Sequence, residues 1–114
     1  MNCGIYCVEK YLESKNHPRE YISGLLERYC QQTEVSLLEI KNILEEAGYT
    51  VTAYCDRWLK NDPCIIYDHI HHHFYLCYGK KGIYIYLSDV NYGDMKILRP
   101  YIFILRFKYY IKAT

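Results

Sequence analysis

Apolar residues fall at positions 3, 5, 6, 7, 8, 11 and 12, and Ile5, Val8 and Leu12 recur at helical spacing. The pattern predicts a helix over Cys3–Ser14 with one face on a core. Lys15-Asn16-His17-Pro18 interrupts it, with Pro18 suited to open the next helix. From Arg19 to Gln32, Tyr21, Ile22, Leu25, Leu26 and Tyr29 form a second amphipathic pattern. Ser36-Leu37-Leu38-Glu39 is a capping-box signature, after which Leu37, Ile40, Ile43 and Leu44 line one face until Gly48 stops a third helix.

From Tyr49 the period changes. Tyr49–Cys55 is short and β-prone, and 56–61 reads as one helical turn. Pro63 leads into Cys64-Ile65-Ile66-Tyr67, a continuous apolar run of the buried-strand type. His71–Tyr78 reads as a strand, Gly79-Lys80-Lys81-Gly82 as a turn and Ile83–Leu87 as the returning strand of a hairpin. A polar connection over Ser88–Asp94 leads to two last strands, Lys96–Leu98 and Tyr101–Phe107. Helices come first and an antiparallel sheet follows, which is an α+β order.

At 114 residues the chain supports one domain, 1–114, and not two. Its 15 tyrosines suit half-buried strands and agree with a sheet in the second half. A net charge of +1 with no basic stripe gives no support for a nucleic-acid partner. No apolar run approaches the ~20 residues of a membrane span, and no signal peptide opens the chain. The six cysteines (Cys3, Cys7, Cys30, Cys55, Cys64 and Cys77) are therefore read as reduced thiols in a cytoplasmic protein. No Cys-x-x-Cys pair completes a structural zinc site, and no cofactor is called for.

Two stretches carry chemistry. Cys3 begins the first helix, where unpaired N–H groups and the positive end of the macrodipole favour a thiolate. The small residue Gly4 beside it keeps the sulfur approachable. Alone, Cys3 would be read as a buried thiol. The hairpin changes this. A five-residue loop pairing Tyr78 with Tyr84 sets His73 opposite Asp89, close enough for the carboxylate to hold the imidazole. A two-residue loop sets His73 opposite Ser88, and His71 becomes the alternative base if the register slips. Cys3, His73 and Asp89 then supply nucleophile, base and orienting acid for acyl transfer. Strand alternation sends His69, His71 and His73 to one face, where a solvated edge is the stronger reading and a metal site the weaker. Cys7, Cys30, Cys55, Cys64 and Cys77 read as core thiols, and Asp94 as a solvated loop carboxylate. Trp58 and the tyrosines read as core and groove walls, and Arg106-Phe107-Lys108 as a solvated strand face.

Asn2-Cys3-Gly4 with Cys7, the Ser36–Gly48 helix, Pro63-Cys64-Ile65-Ile66, His73-Phe74-Tyr75 and Asp89 to Gly93 follow one another in an order that resembles the bacteriocin-processing peptidases. Those are papain-like domains that usually precede double-glycine ABC exporters, and the resemblance covers nearly the whole chain. It implies a papain-like fold with N-terminal helices packed on a C-terminal antiparallel sheet. It also implies that Cys3 is the nucleophile, His73 the general base and Asp89 the orienting acid of a cysteine peptidase. The implied substrate is a peptide leader cut after small residues.

The chain departs from the family at three points. The family's oxyanion glutamine has no counterpart in Met1 or Asn2, its Asp-Pro is Asp89-Val90 here, and the 114 residues hold no exporter. Losing an oxyanion donor costs about 10²–10³ in rate. The Asn2 side chain is one candidate replacement, whereas Gln31 and Gln32 lie far along the chain. Two further readings stay open: an acyltransferase that forms amides from a carrier thioester, and a catalytically weak domain that binds a leader peptide or a partner protein. The implied partners are a peptide substrate or acyl carrier, with an exporter or biosynthetic protein alongside.

Overall fold

A computed structural model describes residues 2–55, 63–68, 71–98 and 109–114. Helix α1 (Cys3–Ser14) has the expected bounds because Asn2 caps it: the Asn2 side chain accepts the Ile5 N–H at 2.7 Å. Its inner face buries Ile5, Cys7, Val8, Tyr11 and Leu12. Helix α2 (Arg19–Leu26) is shorter than its pattern and passes into a 3₁₀ turn, Glu27–Tyr29. Beyond Leu26 no side chain up to Glu34 is buried, so no packing holds further turns. Helix α3 (Leu37–Glu46) begins with the full capping box, Ser36 accepting from the Glu39 N–H and Glu39 from the Ser36 N–H, both at 3.1 Å.

Among the described residues six strands form one antiparallel sheet. They are β1 (Val51–Cys55), β2 (Cys64–Asp68), β3 (His73–Lys81), β4 (Tyr84–Asp89), β5 (Gly93–Leu98) and β6 (Tyr109–Ala113), in the order β1-β6-β2-β3-β4-β5. The α+β order of helices followed by sheet is thus present. Strand β6 has no counterpart in the sequence reading, and it fills the gap between β1 and β2. The strand expected at 101–107 and the helical turn expected at 56–61 lie outside the described residues.

Helices α1 and α3 cover one face of the sheet, where Ile5, Val8, Leu12, Ile40, Ile43 and Leu44 meet Ile65, Phe74, Leu76 and Ile111. Alternation sends Cys64, Ile66 and Cys77 to the other face, with Ile85 and Leu87. At Gly4 the helix approaches its neighbours so closely that an added Cβ would stand 2.2 Å from Val35 Cγ2 and 3.3 Å from Ile40 Cδ1. Gly4 is buried, so its small size serves this packing.

The β3–β4 hairpin differs from the expected register. Strand β3 runs on to Lys81, and the turn is the two-residue Gly82-Ile83, with Gly82 in the left-handed region that glycine tolerates (φ 62). Lys81 pairs with Tyr84 and Gly79 with Tyr86, but Cys77 pairs with Leu87 and Leu76 with Ser88. Tyr78 is the extra residue of a β-bulge. Continuing the inner register sets Tyr75, not His73, across from Asp89. Asp94 is exposed, and it stands on β5 rather than in a loop. Among the described residues no helix is long and apolar enough to cross a membrane.

Candidate active site

Cys3 is the first residue of α1, half-buried against the core. Its sulfur accepts the Phe74 N–H at 3.4 Å, which brings it to β3 one residue past His73. In the first turn, Asn2 accepts from Ile5 N–H through its side chain and from Tyr6 N–H through its carbonyl at 3.0 Å. Among the described residues the Cys3 and Gly4 N–H groups have no acceptor, so they are the donors left at the positive end of the helix. The Asn2 carboxamide is already committed: its Nδ2 donates to the Gln32 carbonyl at 3.0 Å.

His73 opens β3, and its Nε2 is hydrogen-bonded to Asp89 Oδ1. The two residues meet along a diagonal of the ladder, where long side chains still reach one another. Tyr75 stands edge-on to the His73 ring, with centroids 4.7 Å apart. Asp89 is 1 % exposed, and its second oxygen accepts the Asn91 N–H at 3.0 Å and the Tyr92 N–H at 3.1 Å. Those three bonds offset the cost of burying a carboxylate. The Val90 N–H takes no part in them, so these bonds do not depend on which residue follows Asp89.

The elements are joined behind the site. The Tyr6 hydroxyl of α1 is 2.8 Å from the hydroxyl of Ser88, the buried neighbour of Asp89 on β4. Cys7 is fully buried on α1, and burial, helped by Cys3 and Asp89, pushes its thiol well above the ordinary range. It is a core residue. Cys64 and Cys77 are also buried, whereas Cys30 is exposed, contrary to the core reading, with its thiol donating to the Leu26 carbonyl at 3.2 Å.

A cleft of about 430 Å³ opens beside Cys3. Val35, Leu37, Tyr67 and Phe74 give it apolar walls, and Glu34, Ser36, Glu39 and His72 its polar rim. Apart from the tyrosines, read as core and groove walls, the sequence reading named none of these as site residues, because they come from separate elements whose meeting only the fold reveals. With its nitrogen turned toward the acceptors, Gln32 donates to Glu39 Oε2 at 3.1 Å and the Glu34 carbonyl at 3.3 Å.

The histidines sort differently from the strand alternation. His71 and His72 lie in the β2–β3 turn, so the three-histidine face expected from a strand is not formed there. His71 Nδ1 is 2.9 Å from Asp68 Oδ2, and His72 Nδ1 is 2.9 Å from the Tyr67 hydroxyl. It is His72, not the alternative base His71, that reaches the cleft beside Cys3. His69, Trp58, the Cys55 side chain and Arg106-Phe107-Lys108 lie outside the described residues.

No protein-family model matches the sequence, and no curated protein matches it. Among solved structures the chain is similar to a double glycine motif protease from an AMS/PCAT transporter, determined in complex with the leader peptide. The TM-score is 0.79 at 20 % identity, covering 98 % of this chain and 83 % of that one. At that identity the likeness shows the fold, and the expected papain-like α+β architecture is borne out.

Proposed function

We propose that the chain is a thiol peptidase that removes a peptide leader after a small-residue motif, the double glycine being the first to test. One observation carries the reading: the residue next to His73 donates its N–H to the Cys3 sulfur, while His73 itself is bonded to a buried Asp89. The transporter protease of the same fold, solved with a leader peptide, supports the substrate class.

Each residue then has a role. Asp89 fixes the ring with Nε2 inward, which leaves Nδ1 to take the Cys3 proton. The thiolate attacks the scissile carbonyl, and the oxyanion is met by the Cys3 and Gly4 N–H groups in place of a glutamine side chain. The imidazolium returns the proton to the leaving amine. Water, activated by the same ring, then hydrolyses the thioester. Val35, Leu37, Tyr67 and Phe74 wall the cleft beside Cys3, where the residues flanking the cut would lie.

The test is incubation with a synthetic leader ending in Gly-Gly, with products read by mass spectrometry. Cleavage after the second glycine that vanishes in Cys3→Ala supports the reading. Cleavage that survives Cys3→Ala, or binding of the leader with no turnover, overturns it.

A further inference from the structure

Three consecutive histidines span the end of the β2–β3 turn and the start of β3, and each is held by a different group: His71 by Asp68, His72 by Tyr67 and His73 by Asp89. The first of these pairs has no part in the mechanism above. Asp68 is the last residue of β2, is 0 % exposed, and is the direct cross-strand partner of His73. Its Oδ1 accepts the His71 backbone N–H at 3.1 Å, and its Oδ2 is 2.9 Å from His71 Nδ1. A carboxylate withdrawn from water in this way is costly unless its oxygens are bonded. Here both oxygens bond the turn.

The turn needs holding. His72 has φ 51, a left-handed conformation that costs a residue with a side chain about 1–2 kcal/mol. Such a conformation persists only where the surroundings impose it. Tyr67 and Asp68, consecutive on β2, hold His72 and His71, consecutive in the turn. The next residue is His73.

We propose that Asp68 and His71 are positioning residues, a clamp that fixes where β3 begins and so the direction from which the His73 ring meets Cys3 and Asp89. The clamp acts through the turn backbone and touches no substrate. It rests on the thiol mechanism proposed above, because its purpose is to aim that mechanism's base.

The side chain of His71 is 58 % exposed, so replacing it leaves the core intact. Two readouts separate aim from stability: the iodoacetamide alkylation rate of Cys3, resolved by peptide mass spectrometry, and the ring ¹⁵N resonances of His73. His71→Ala is expected to slow Cys3 alkylation about tenfold and to shift the His73 signals at a temperature where circular dichroism shows the variant folded. Its thermal midpoint is expected to be lower, because Asp68 loses a partner. His71→Asn, whose amide can donate to Asp68, is expected to restore both readouts. Parental alkylation and parental His73 signals in His71→Ala would overturn the clamp. If parental Cys3 reacts no faster than the exposed Cys30, the thiol mechanism itself fails, and the His73 resonances still decide whether Asp68 and His71 set that ring.

Discussion

The Phe74 N–H donates to the Cys3 sulfur at 3.4 Å, and Phe74 directly follows His73. The start of α1 is therefore tied to the same short piece of β3 that carries the imidazole. The sulfur stands beside that N–H donor and at the positive end of the helix dipole. Both features come from backbone, so side-chain replacements around the cleft leave them in place.

Asp89 has each of its oxygens assigned, one to His73 and one to the Asn91 and Tyr92 N–H groups. Asp89→Asn keeps the shape but removes the charge that holds the imidazolium. For cleavage of a leader peptide, kcat is expected to fall about 10²–10⁴-fold in this variant and in His73→Ala. Progress curves on folded variants, checked by circular dichroism, measure it. A parental kcat in Asp89→Asn would remove the carboxylate from the mechanism.

Gly4→Ala places a methyl group where Val35 Cγ2 already stands. Alanine's better helix propensity, about 1 kcal/mol, is expected to be outweighed by overpacking, for a net loss of about 1–3 kcal/mol. Urea unfolding reads the loss. Adding Val35→Ala to the same chain is expected to recover part of it, because the methyl then has room.

Ser36→Ala breaks the capping box of α3 and is expected to cost about 1 kcal/mol of unfolding free energy. Ser36 also lines the cleft, but it carries no proton in the mechanism. Cys3 alkylation is therefore expected to keep its parental rate.

The Cys7 thiol is held protonated above its ordinary range, chiefly by burial. An unfolded chain releases that proton near pH 8.5, and the folded chain does not. The stability from neutral Cys7 is thus fully present below about pH 8.5 and is lost as pH rises from there toward the folded value. Unfolding free energy is expected to decline through that window by up to about 1.4 kcal/mol per pH unit from this one group. Cys7→Ala, although less stable at neutral pH, is expected to show a shallower alkaline slope in urea titrations. An unchanged slope would assign the decline to other groups.

What the sequence disclosed follows from how local each feature is. The bounds of α1 follow from the spacing of Ile5, Val8 and Leu12 before the Lys15–Pro18 break, and the capping box of α3 from Ser36 and Glu39, all of them features written in nearby residues. Strand pairing is not local. The Gly82-Ile83 turn and the bulge at Tyr78 are set by which cross-strand pairing buries more, and the expected five-residue loop missed both. His73 and Asp89 were nonetheless paired in the reading, because a diagonal contact and a direct one lie within reach of the same side chains. His71 and His72 looked like strand because nothing in their residue types announces a left-handed turn. The cleft walls were illegible for a plainer reason: Val35, Tyr67 and Phe74 meet only after the sheet has closed on the helices.

The bulge at Tyr78 sets the phase of the hairpin. Had the ladder continued evenly from Lys81 and Tyr84, Leu76 would have fallen across from Asp89, and the carboxylate would share a face with Leu76 and Phe74. The extra residue moves Tyr75 into that place, and Tyr75 and His73 face the same way. Like a one-base insertion that restores a reading frame, a single unpaired residue that does not itself line the cleft brings acid and imidazole onto one side. Lengthening the Gly82-Ile83 turn leaves that frame alone, whereas adding or removing one residue between Tyr78 and His73 turns the imidazole away from its carboxylate.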